Sequence, residues 1–125
     1  MDYEQCIHEG ILTQTQPDTV RANKLPEMAQ IRLNFWTRQQ GYPSLQTEAY
    51  YEIIKELLLA HLYENGYHCT NHLCLIAYAK KHTNNFKYQA DKIDELRRMR
   101  NEINYRGFDV KQEYLDRNTN EFIHI

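Results

Sequence analysis

The chain reads as an all-α protein, an up-and-down bundle of about five to six helices, and three observations lead there. Glycine and proline are scarce, four and three, and several stand as punctuation between apolar stretches rather than as turns of a sandwich or barrel. Within those stretches apolar residues recur at spacings of three and four. Candidate N-caps and glycine stops bracket them. The chain has 125 residues, 42% hydrophobic and 26% charged, which suits a single domain over 1–125 with one core and a solvated surface.

The first helix is expected over about Tyr3 to Thr15, where Cys6, Ile7, Gly10 and Ile11 make a short apolar face. Pro17-Asp18-Thr19 reads as a stop and a restart, with Asp18 the N-cap. In the second helix Pro26 either kinks the helix or marks where its regular part begins. From Glu27, Met28, Ile31, Leu33, Phe35 and Trp36 carry it to about Gln40, and Gly41-Tyr42-Pro43 closes it. Ser44 is the N-cap expected for the third helix. That segment, from Tyr50 to Tyr63, is apolar on more than one side, the pattern of a central helix, and Asn65-Gly66 ends it. A fourth helix is expected from an N-cap at Thr70 to Lys81, and a fifth from about Tyr88 to Tyr105, stopped by Gly107. A last helix spans about Lys111 to Ile123.

Composition excludes some roles. No apolar run approaches the roughly 18 residues that span a bilayer; the longest, Ile53 to Leu62, is interrupted by Lys55, Glu56 and His61. The acidic start Met1-Asp2-Tyr3-Glu4 is not a leader sequence, so the expected location is the cytoplasm. Three cysteines, Cys6, Cys69 and Cys74, are an odd number and do not suggest a disulfide framework. Ten tyrosines suggest helix interfaces with polar edges, or an interface with another chain. The net charge of -2 is unevenly spread: between Lys80 and Lys111 nine Lys or Arg face five Asp or Glu, whereas the rest of the chain holds six against twelve. The basic third either pairs with the acidic remainder or forms a local anion patch.

The fifth helix carries the chemistry. Its apolar stripe reads Ile93, Leu96, Arg100, Ile103, so an arginine stands where the pattern asks for leucine. A guanidinium there needs a carboxylate partner on a neighbouring helix or subunit, or a wet cleft in which its fork grips phosphate. Arg97, Asn101 and Asn104 line the same side. A second cluster, His68, Cys69, His72 and Cys74, contains zinc-ligand types but no C-x-x-C pair, and no metal or cofactor is assigned to it. Lys80, Lys81, Lys87, Arg97, Arg98 and Arg106, with Tyr88 and Tyr105 for stacking, form a candidate nucleic-acid surface.

The run Leu96-Arg97-Arg98-Met99-Arg100-Asn101-Glu102-Ile103-Asn104-Tyr105-Arg106-Gly107 resembles the signature helix of the HEPN family, and Tyr51-Glu52, Glu56, Gly66-Tyr67 and Asn71-His72 resemble the middle of its stand-alone prokaryotic members. The resemblance covers about Tyr50 to Val110. It implies a helical bundle that pairs into a homodimer with the signature helices facing across a cleft. It also implies metal-independent ribonuclease chemistry built on an arginine, a following polar residue and a histidine. Arg100 and Asn101 match the first two; Tyr105 stands in the histidine slot. A tyrosine with an ordinary pKa near 10 is a poor base at neutral pH, whereas histidine near 6.5 is a good one. The residues therefore point to phosphate binding, of RNA or a nucleotide, by Arg97, Arg100, Asn104, Arg106 and His72, with Arg100, Asn101 and Tyr105 as the catalytic set if cleavage occurs. Other members of the family accompany minimal nucleotidyltransferases in toxin–antitoxin pairs. The transferase signature is absent here, so such a partner would be a separate chain. A purely structural dimer, with Arg100 only pairing a carboxylate, is the remaining alternative.

Overall fold

The computed structural model describes residues 2–107 and 109–123. Among them six helices and one two-stranded sheet follow in the order α1 (Tyr3–His8), β1 (Leu12–Gln14), α2 (Thr19–Trp36), α3 (Pro43–Glu64), β2 (Tyr67–Cys69), α4 (His72–His82), α5 (Lys87–Arg106) and α6 (Gln112–Ile123). The architecture is the all-α bundle the sequence predicts. No helix among the described residues is long and apolar enough to cross a membrane.

The N-terminal segment departs from expectation. Asp2 caps α1 through a capping box with Gln5, but the helix stops at His8 instead of running to Thr15. Gly10 turns the chain at φ +72°, a conformation glycine adopts without the Cβ clash of other residues. Leu12–Gln14 then pairs antiparallel with Tyr67–Cys69, Leu12 opposite Cys69 and Gln14 opposite Tyr67. A helical spacing of only four residues had too little length to overrule a glycine turn and the threonines beyond it, which favour extended backbone.

The second helix begins at Thr19 with the Asp18 carboxylate accepting from the Arg21 amide at 3.1 Å, and it continues through Pro26. It ends at Trp36 rather than Gln40; tighter turns take over at Arg38 and Gln39, and the Gln46 amide donates to the carbonyls of Trp36 and Gln39. Ser44 is not the cap of α3. Pro43 occupies the first helical position, where its missing N–H and preset φ cost nothing. The Ser44 hydroxyl instead accepts the Val110 amide at 2.9 Å. In α4 the cap is Asn71, whose side chain accepts from the Cys74 amide, while Thr70 donates its amide to Ile11 as the last rung of the sheet. Gly66, between α3 and β2, sits at φ +75°, and a Cβ there would lie 2.7 Å from the Thr15 carbonyl oxygen. The fifth helix ends as predicted, with Gly107 in the left-handed conformation at φ 65°.

Helix α3 is central, packing against α2, α4, α5, α6 and β2. One apolar cluster joins Ala29, Tyr50, Ile53, Ile54, Ile93, Leu96, Leu115 and Phe122 from α2, α3, α5 and α6. A second, of Cys6, Leu12, Leu62, Cys74, Leu75 and Tyr78, pins α1 and β1 onto α3 and α4.

Inside that second cluster the cysteine expectation is corrected. Cys6 and Cys74 are joined in a disulfide with Cα atoms 5.7 Å apart, and both are fully buried. Cys74 is buried and bonded, and Cys69 is left as a thiol. The odd count misleads because the two partners are brought together by tertiary packing across 68 residues, not by local spacing. The number of cysteines therefore says nothing here about redox compartment.

A polar cleft where α3, α4 and α5 meet

Helices α3 and α5 run in opposite directions, so the C-terminal half of α5 lies beside the N-terminal half of α3, as the Ser44–Val110 and Arg100–Glu52 contacts show. The α5 stripe begins as core, with Ile93 and Leu96 fully buried. One turn further it becomes polar at Arg97 and Arg100. Helix α4 starts only at His72, so its first turn borders this polar half instead of covering it.

Arg100 is 22% exposed and reaches α3. Its Nη2 lies 3.6 Å from Glu52 Oε1, and its Nη1 donates weakly to Asn101 Oδ1 at 3.5 Å. The guanidinium carbon stands 6.0 Å from the centre of the Tyr51 ring. Its Nε is buried and makes no hydrogen bond among the described residues. The neighbouring cations are held far more closely. Arg97 Nε bonds Asp94 Oδ1 at 2.8 Å, Arg32 pairs with Glu56 at 3.0 Å, and Lys55 Nζ sits 2.6 Å from Glu52. The carboxylate nearest Arg100 is thus mainly committed to Lys55, and the guanidinium keeps donor capacity that the described residues do not use.

The first residue of α4 completes the cleft. His72 Nδ1 is 2.8 Å from the Tyr51 hydroxyl, and the rings lie 5.7 Å apart. Burial lowers the His72 pKa first, and the positive charges of Lys55 and Arg100 add to it, so the imidazole is neutral at pH 7. Burial also pushes the Tyr51 phenol up to about 12, against the pull of Arg100. The phenol therefore keeps its proton. When it donates to Nδ1, the ring proton lies on Nε2 and that nitrogen is a donor. Beside Glu52, Glu56 is raised by burial, an effect opposed by Arg32.

The structure brings Arg97, Arg100, Asn101 and His72 to one region and adds Tyr51, Glu52 and Lys55, which the motif reading had not assigned to the site. Lys55 was missed although it stands three residues beyond Glu52, on the same helix face. Tyr105 is not gathered in. It lies five residues beyond Arg100, about 140° around the helix, and is 79% exposed. As a member of the Arg100 catalytic set it is misplaced within one chain. Asn104 is exposed beyond the cleft, and Arg106 is exposed and pairs loosely with Glu102 at 3.7 Å.

The other candidates disperse. Cys74 is consumed by the disulfide, Cys69 donates its thiol to the Asn71 carbonyl at 3.1 Å, and His68 is exposed on β2. Among the described residues no group of three or more His, Cys, Asp or Glu could hold a metal ion. In the basic third, Arg97 and Arg98 both turn to Asp94, Lys81 lies over the Tyr3 ring, and Tyr88 donates its hydroxyl to Glu121. No family model matches the chain, and no curated protein or solved structure matches it either.

Proposed function

We propose that the protein is a HEPN-like helical homodimer that grips a phosphate group, of RNA or of a nucleotide, in the cleft around Arg100. The reading is carried by one observation: Arg100 is largely buried on an apolar helix stripe, yet among the described residues its hydrogen bond and ion pair are long, at 3.5 and 3.6 Å, and its Nε is unpaired. A half-desolvated guanidinium with unused donors matches the forked geometry of phosphate oxygens. Neutral His72 supplies a further donor through Nε2, and Arg97 and Lys55 raise the local potential. In a homodimer with α5 facing α5, two such clusters would share one cleft, and the exposed Asn104, Tyr105 and Arg106 would lie at its rim. The family analogy sets the biological context: a toxin–antitoxin or other nucleotidyltransferase-associated pair, with the transferase on a separate chain.

Ribonuclease activity is the second reading, and His72 favours it. The fifth helix lacks a histidine, but the first turn of α4 brings a neutral imidazole to the region of Arg100; in the tautomer whose Nδ1–H donates to the Tyr51 hydroxyl, its Nε2 carries the free lone pair a general base needs. A structural dimer is the third reading, in which the Arg100–Glu52 pair only fastens α5 to α3.

The test is binding and cleavage of a mixed single-stranded RNA pool in EDTA, with a nucleoside monophosphate in parallel. Removing a charge-assisted contact should weaken binding roughly 10- to 100-fold in Arg100→Ala. Glu52→Gln, which frees Arg100 of its competitor, should tighten it. Cleavage lost in His72→Ala with binding retained would establish the ribonuclease reading. Absence of binding and cleavage in a folded wild type would sink both and leave the structural role.

A further inference from the structure

We infer that the pocket beside the Arg100 cleft, between α3, the end of β2 and the start of α4, seats a nucleobase, so that the ligand is a whole nucleotide with its phosphate on Arg100 and its base in this pocket. The inference rests on the phosphate reading and supplies the half of the ligand which that reading leaves open. The pocket measures about 190 Å³. A cavity of roughly 150 Å³ already accepts a benzene ring, so there is room for one base and none for a second stacked on it. Leu59 and Tyr63, one turn apart on α3, line it together with Leu75 from the start of α4, giving apolar walls to a flat ring. Leu75 is buried and Thr70 is exposed, so the pocket runs from solvent into the core. Apolar walls with a few polar groups to orient the ligand are the usual make-up of a small-molecule site.

The pocket and the cleft share a border. Lys55 and His72 line the pocket, and both also reach the cleft. Lys55 Nζ binds Glu52 Oε2 at 2.6 Å, and the other oxygen of that carboxylate faces Arg100 Nη2 at 3.6 Å. His72 Nδ1 lies 2.8 Å from the Tyr51 hydroxyl, and Arg100 stands 6.0 Å from the centre of the Tyr51 ring. One carboxylate thus separates Lys55 from Arg100, and a phosphate on the arginine would be joined to a ring beside the lysine by a single ribose. The polar residues of the pocket narrow the choice of base. Lys55 can only donate. Asn71 accepts the Cys74 amide on Oδ1 at 2.8 Å, which leaves the amide nitrogen, also a donor, as its free end. The Cys69 thiol is turned to the Asn71 carbonyl at 3.1 Å, and the Thr70 hydroxyl can donate or accept. Fixed side-chain donors therefore outnumber fixed acceptors, the complement of a base edge that carries carbonyl oxygens. Uracil, one ring with two carbonyls, meets both the size and the polarity.

Titration calorimetry on the intact chain with uridine 5′-monophosphate, ribose 5-phosphate and uridine separates the two halves of the ligand. The wild type should bind uridine 5′-monophosphate at least about 10-fold more tightly than ribose 5-phosphate, the gain from burying one ring. Thr70→Phe fills the pocket from its exposed rim, and Leu59→Trp fills it from α3. Each should erase that advantage and leave ribose 5-phosphate binding as it was, with helical content intact by circular dichroism. Arg100→Ala should weaken both phosphates, while uridine still shifts the Thr70 and Asn71 amides in NMR spectra. Cytidine 5′-monophosphate, with an amino group in place of one carbonyl, should bind less tightly than the uridine compound; tighter binding would overturn the choice of base. Equal affinity for uridine 5′-monophosphate and ribose 5-phosphate, or an advantage that survives both filled variants, would overturn the base pocket and leave the phosphate reading standing. Uridine bound at Thr70 and Asn71 with no ribose 5-phosphate bound would sink the phosphate reading and keep the pocket. Binding of none of the three ligands would overturn both.

Discussion

Reducing the Cys6–Cys74 bond should lower the free energy of unfolding by about 4 kcal/mol, the loop-closure entropy that a cross-link spanning 68 residues removes from the unfolded chain at 25 °C. The folded side supports a value near this estimate. Both cysteines are fully buried within an apolar cluster, so reduction leaves two thiols in the same surroundings and opens no large cavity. The cost should fall unevenly. Helix α1 has six residues, too few to persist without tertiary support; beyond the disulfide it packs on α4 and leads into the three-residue pairing of β1 with β2. The informative assay is urea denaturation of oxidised and reduced wild type followed by helical circular dichroism, alongside amide exchange. The midpoint should drop at nearly constant slope. In the reduced protein, exchange at the Leu12–Gln14 rungs should speed up before that of α3 or α5. A stability difference below about 1 kcal/mol, or uniform loss of protection across the bundle, would refute the view that this bond is the main fastening of the N-terminal segment.

Other expectations follow from single positions. Leu96 is fully buried between α5 and the core, so Leu96→Ala should cost about 2–5 kcal/mol in chemical denaturation; a cost under 1 would mean that the face repacks freely. Gly66→Ala combines a positive φ with a Cβ 2.7 Å from the Thr15 carbonyl oxygen, and should destabilise by about 1–3 kcal/mol, with loss of the Thr15–Gly66 hydrogen bond visible in amide exchange. His72 titrates below its unfolded value near 6.5, because burial and nearby cations favour the neutral ring. The unfolded chain then binds more protons in that window, so stability should be full above about pH 6.5 and decline as the pH falls through the depressed folded pKa. His72→Asn should flatten that slope, and a ring titrating above 6.5 by NMR would contradict it.

Helix α5 shows why part of the site was legible. Its stripe of Ile93, Leu96, Arg100 and Ile103 depends only on the helical period, and the left-handed Gly107 stops it where a glycine should. The same local logic placed Asp18 as a cap and α3 as the central helix, since caps act within one turn and all-round hydrophobicity has no surface use. Where two local signals competed, the reading slipped. Helical spacing around Cys6 to Ile11 lost to the Gly10 turn, and Ser44 lost the cap position to the proline beside it.

From the sequence by itself came the helical class, the position of most helices, the misplaced arginine at position 100 and the absence of histidine from its helix. These follow from interactions that reach no further than four residues along the chain. Tertiary structure alone decided that Cys6 meets Cys74, that Leu12–Gln14 pairs with Tyr67–Cys69, that His72 rather than Tyr105 stands in the region of Arg100, and that Arg100 reaches Glu52. Each joins residues on different elements. Their meeting depends on how α3, α4 and α5 cross and where α4 begins, which the packing of the whole core sets and no local spacing encodes.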